Sequence, residues 1–193
     1  MVDIVKDAAQ EMRPYFGLSD AKPKIAVDQD NGEVPFAYHQ DTGIIFVREK
    51  HNSPEFGLHW VGGEEVCHFL HHVENPAVFA YKSELVAQRD KTQDESTQRE
   101  FIKCYNFIEA VGCYGGLIYA SKRYNDNQMN KLIASLVTTI AQMLDPAIMT
   151  YSDAKHGAGY TLALKTFLEH NDTKLAEFAR LPPAEGIRLI ESS

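Results

Sequence analysis

Lys24-Ile-Ala-Val-Asp28, Val34-Pro-Phe-Ala-Tyr-His39 and Gly43-Ile-Ile-Phe-Val47 are short apolar runs divided by the turn-forming clusters Asp28-Gln-Asp-Asn-Gly32 and Gln40-Asp-Thr-Gly43. Runs of this length and spacing read as three strands joined by turns. Ile44 to Val47 is apolar on both faces, so it is expected to be central or covered on both sides. These strands decide the fold class, because without them the chain would read as helical throughout. Upstream, Val2, Ile4, Val5, Ala8, Ala9, Met12 and Phe16 recur at helical spacing, which predicts a helix over 2–16. Downstream of Pro54, helices are expected at about 56–73, 76–89, 95–122, 127–144, 152–170, 173–180 and 183–191, with breaks at Pro, Asn and Asp clusters. The expectation is an α+β fold: one domain over 1–193, with a sheet region at about 24–47, a histidine-rich helix at about 56–73 and a helical body from 76 onward. The stretch from Gln88 to Glu100 has no apolar residue and is expected to be a surface connection within that domain.

Composition narrows the function. The chain has 193 residues, of which 44% are hydrophobic, enough for a core without disulfide or metal staples. Nineteen Lys and Arg against 27 Asp and Glu give a net charge of -8, a field that repels phosphate backbones and anionic lipid. Neither nucleic acid nor membrane is expected as a partner. No apolar run approaches the length of a spanning helix, and Asp3, Lys6, Asp7, Glu11 and Arg13 occupy the place of a signal core, so a cytoplasmic protein is expected. Cys67, Cys104 and Cys113 follow no ligand or disulfide spacing and read as reduced thiols.

Chemistry concentrates in His59-Trp-Val-Gly-Gly-Glu-Glu-Val-Cys-His-Phe-Leu-His-His72, which holds four of the eight histidines. At about 100° per residue, a helix from Glu64 onward puts Glu64, Glu65, His68, His71 and His72 within an arc of roughly 120°. Val66, Phe69, Leu70 and Val73 occupy the opposite arc and are expected to face the core. Carboxylates and imidazoles on neighbouring turns are ligands for zinc or another divalent first-row metal. A solvated face carrying Glu–His pairs is the plainer reading of the same pattern. Glu109 lies among Phe101, Cys104, Tyr105, Ile108 and Val111 on another expected helix. There a carboxylate is costly unless it binds metal or accepts a buried hydrogen bond.

Glu64-Glu65-Val66-Cys67-His68 resembles the His-Glu-x-x-His signature of the zincin metallopeptidases, with Glu64 in place of the first His. The resemblance implies a zincin-like fold in which Glu64 and His68 bind the metal and Glu65 is the catalytic base. Zinc is the first expectation, with manganese or iron as alternatives that an extra carboxylate suits. His72 or His71 is an additional or substitute ligand. The gluzincin branch implies Glu109 as third ligand, and His156 or Tyr160 as stabiliser of the tetrahedral intermediate. In zincins the strand before the metal helix can also receive an extended peptide. His156 and Tyr160 could equally serve only the packing of a helix that begins His156-Gly-Ala-Gly-Tyr160. Three functions follow: a metal-dependent peptidase acting on a peptide or protein; an inactive zincin-like module that binds metal or a protein partner; and a ferritin-like di-metal protein using Glu65-x-x-His68 with Asp153-Ala-Lys-His156. The third predicts four long helices and no sheet.

Overall fold

A computed structural model describes residues 1–28, 34–48 and 55–193. It is mostly helical with one small three-stranded sheet, an α+β architecture. Helix α1 (Val2–Met12) tightens into a 3₁₀ turn at Arg13–Phe16 and ends at Gly17, whose φ of 69° suits a residue without Cβ. Strands β1 (Lys24–Val27), β2 (Phe36–His39) and β3 (Ile44–Val47) follow. The turn expected at Asp28–Gly32 lies outside the described residues beyond Asp28.

Strand β3 is central, parallel to β1 and antiparallel to β2. Its two-sided apolar sequence fits that place, and Ile45 and Val47 are fully buried. The expectation that the strand preceding the histidine-rich helix offers a free edge is therefore not met. The edges belong to β1 and β2, and β2 packs on the helix that carries the histidines, with its Tyr38 N–H already engaged there.

Seven helices complete the described residues: α2 (Glu55–Glu74), α3 (Pro76–Thr92), α4 (Glu95–Ser121), α5 (Asp126–Met143), α6 (Tyr151–His170), α7 (Leu175–Ala179) and α8 (Pro183–Ser192). The apolar-free stretch at 88–100 is not a loop. It holds the end of α3 and the start of α4, divided only at Gln93, whose backbone is left-handed, and Asp94, whose carboxylate accepts from Ser96 N and Thr97 N at 3.2 and 3.0 Å. Polar residues with good helix propensity need no apolar stripe where both faces meet water, and the Asp94 cap restarts the helix.

Helix α4 is the axis of the molecule, buried without interruption from Asn106 to Ala120. Helices α2 and α6 pack along it, and close approach is built into the sequence. A Cβ on Gly112 of α4 would lie 2.3 Å from the His68 ring of α2, and one on Gly159 of α6 would lie 2.3 Å from the Asn106 carbonyl oxygen of α4. Asn106 then fixes the register of α6: its amide donates to Ala154 O at 2.7 Å and its Oδ1 accepts from Gly159 N at 2.7 Å. The sheet and α1 join the same hydrophobic core.

Candidate metal centre

Three helices bring their polar residues to one place in this core. Glu64 and His68 stand one turn apart on α2, Glu109 faces them from α4, and a ligand atom of each lies within 4.8 Å of those of the other two. All three are buried, with 4%, 7% and 6% of their surface exposed, so the solvated-face reading fails for them. Two carboxylates and one imidazole are a donor set for a divalent cation, and the group can hold a metal ion. Among the described residues no other such cluster occurs.

The electrostatics fit a place built for positive charge. Burial and the neighbouring Glu109 charge push the Glu64 carboxyl up to about 8, and its Oε1 is buried with no hydrogen-bond partner among the described residues. Burial alone would lower the His68 pKa, but Glu109, with its Oε2 at 3.6 Å from Nε2, and the Glu65 and Glu64 charges raise it to about 9. Burial works in the opposite direction on Glu109, where His68, His156 and Lys82 outweigh it and hold the carboxyl below the usual range. Without an ion, one proton and one cationic imidazole offset the negative charge. A dication would displace both protons.

Glu65 follows Glu64 and lines the same cavity of about 450 Å³. Its Oε2 accepts from Tyr38 N of β2 at 2.6 Å, which holds the carboxylate toward the sheet edge, and burial raises its pKa to about 7. A carboxyl titrating near neutrality can accept a proton and release it again at working pH.

Helix α6 adds His156 and Tyr160. The His156 Nδ1 lies 2.7 Å from Ser152 O, which can only accept, so Nδ1 carries hydrogen and Nε2 is turned to Glu109 Oε2 at 3.7 Å. Tyr160 sits edge-on to both His156 and Trp60 with its hydroxyl directed at the Glu64 carboxyl. The two residues expected to share a task do border one site. Trp60 lies within α2 and lines the same cavity.

Other expected residues stand apart. His72 is not among the clustered donors: its Nδ1 makes a 2.7 Å hydrogen bond with the Tyr38 hydroxyl, and its ring stacks on Phe79 at 4.4 Å. One turn beyond His68, the helix has passed Glu109 and reached β2 and α3. His71 is fully buried between Phe79 and Phe107, with neither ring nitrogen bonded among the described residues. Val73, expected in the core, is 46% exposed. Asp153 closes a capping box with Thr150, its carboxylate accepting from Thr150 N at 2.7 Å, so the second Asp-x-x-His half-site does not form. The sheet and this lost half-site together remove the basis for the di-metal bundle.

Sequence reasoning gave no role to Asn106 or Lys82. Asn106 is a lone amide in an apolar helix three residues before Glu109, a pattern that calls for buried partners. Lys82 carries no comparable signal in its neighbourhood.

No protein-family model, no curated protein and no solved structure matches the chain.

Proposed function

We propose that the protein is a metal-dependent hydrolase acting on peptide bonds. Glu64, His68 and Glu109 hold one divalent ion, zinc in the first place and manganese or iron as alternatives given two carboxylates in the set. The observation that carries this reading is the buried convergence of those three donors within 4.8 Å on the wall of a cavity of about 450 Å³. The ion supplies Lewis acidity toward a water and a carbonyl oxygen. Glu65, held by Tyr38 N, takes the proton from the attacking water and returns it to the leaving amine. Tyr160 donates a hydrogen bond to the oxyanion that develops on the former carbonyl, and His156 does so through Nε2 in its imidazolium form, since Nδ1–H is committed to Ser152 O. The zincin resemblance of Glu64-Glu65-Val66-Cys67-His68 supports the same assignment, with Glu64 where that family has a histidine.

A second reading has one observation in its favour. Glu109 already lies 3.6 and 3.7 Å from two imidazoles, an ion-pair network that satisfies the carboxylate without a metal and suits an inactive, structural or protein-binding descendant. Metal content of the untagged protein, purified without chelator, decides between them. Stoichiometric zinc, manganese or iron in the wild type, absent from His68→Ala and Glu109→Ala, supports the enzyme. A peptide-cleavage screen with Glu65→Gln as the inactive control completes the test. No bound metal after incubation with each ion overturns it.

A further inference from the structure

The cavity wall is electrically uneven. Three carboxylates face it, from Glu64, Glu65 and Glu109, and among the described residues that line it Lys82 of α3 is the one Lys or Arg. An aromatic series leads round the wall from Trp60 through Tyr160, His156 and Tyr105, with successive ring centres 5.9, 5.9 and 5.7 Å apart. It ends at Lys82, whose Nζ lies 5.5 Å from the Tyr105 ring and 5.8 Å from the Phe79 ring. The ammonium makes no ion pair within 4 Å and no hydrogen bond with any described residue. Burial lowers its pKa, while Cys104, Glu109 and Asp41 act in the opposite direction.

A half-buried ammonium is costly without a partner, and two ring faces offset that cost only in part. Placed on the wall of a substrate cavity, it is suited to a partner that arrives with the substrate. We propose that Lys82 is a specificity-determining residue that receives a carboxylate of the peptide substrate next to the scissile bond. This rests on the hydrolase reading given above. A singly charged carboxylate fits better than a phosphate, because a more highly charged anion would be repelled by the three glutamates of the same wall. Tyr105, 5.5 Å from Lys82 Nζ, lies 5.7 Å from the His156 ring, whose Nε2 is 3.7 Å from Glu109 Oε2. The carboxylate that Lys82 binds therefore belongs close to the bond cut. The C-terminal carboxylate of a short peptide and the side chain of an acidic residue near the cut share this chemistry.

Trp60, the single tryptophan of the chain, lines the cavity and reports occupancy by its fluorescence. Three probes are titrated into the wild type, Lys82→Met and Lys82→Arg: N-acetyl-alanyl-alanyl-phenylalanine as the free acid, the same peptide as its amide, and N-acetyl-alanyl-alanyl-glutamic acid α-amide. The expected result is binding of the free acid about tenfold or more tighter than its amide. Lys82→Met removes that preference, whereas Lys82→Arg keeps most of it. Binding of the glutamyl amide as tight as the free acid assigns the site to an acidic side chain, and binding as weak as the plain amide assigns it to the chain terminus. Equal binding of acid and amide, no binding of any probe, or a preference that survives Lys82→Met overturns the proposal. Because the readout is binding, a preference for the acid with no cleavage by metal-loaded protein sinks the hydrolase reading and leaves the subsite. Cleavage without the preference does the reverse.

Discussion

Two neighbouring stretches of α2 carry histidines and meet different fates. In the first, Glu64 and His68 face Glu109 of α4 and form a polar cluster. In the second, His71 is sealed between Phe79 and Phe107, and His72 is held by Tyr38 and Phe79. What separates them is the surface each meets: opposite His68, α4 presents Gly112 and Glu109, and opposite His71 it presents Phe107. A histidine becomes a candidate ligand through what a distant helix offers it.

The largest effect is expected where the first stretch loses its charge partner. His68→Ala leaves Glu109 with the more distant His156 as its remaining imidazole and should cost about 3–5 kcal/mol in apo stability by thermal or urea unfolding, together with loss of bound metal by mass spectrometry. If stability falls but metal content does not, the two stretches differ less than proposed. Gly112→Ala tests the glycine directly. Its Cβ would meet the His68 ring at 2.3 Å, so the imidazole must leave its place, at about 1–3 kcal/mol and with weakened metal binding. Unchanged metal affinity in this variant would show that the contact does not position His68.

His71 sharpens the contrast through pH. Burial, with His68 and His72 as cationic neighbours, lowers its pKa to about 3, so the folded state keeps the ring neutral while the unfolded chain protonates it below about 6.5. Stability from this group is complete above pH 6.5 and falls as pH drops toward 3, by about 2 kcal/mol at pH 5. His68 has the opposite sign: with its pKa raised to about 9, its contribution is full below pH 6.5 and is lost as pH rises toward 9. His71→Leu should therefore flatten the acid side of the apo stability profile and leave the alkaline side intact. An unchanged acid limb would overturn this assignment. Tyr38→Phe removes only the hydroxyl bonded to His72 and should cost about 0.5–1.5 kcal/mol, without any change in metal content.

The contrast also marks where the sequence could be read. Strands β1 to β3 were legible because apolar runs and turn clusters are local signals, and Glu64 and His68 because one helical turn relates them. Glu109 was legible as a carboxylate stranded among apolar neighbours. The fates of His71 and His72 were not, since Phe79, Phe107 and Tyr38 reach them only through tertiary packing. Nor was the extension of α3 through 90–92, which has no apolar stripe to announce it.

Asn106 gives the site a temporal property. The Gly159 amide ends on its side-chain oxygen inside the α4–α6 seam, 53 residues away along the chain. That amide cannot reach solvent unless the seam opens, so its hydrogen should exchange for deuterium only as slowly as the whole protein unfolds. Glu109 and His156 flank that bond on their respective helices, so their juxtaposition persists between encounters with any substrate. Selectivity then has to come from what the standing cavity admits, since the helices that build it have no cheap way to close around a guest.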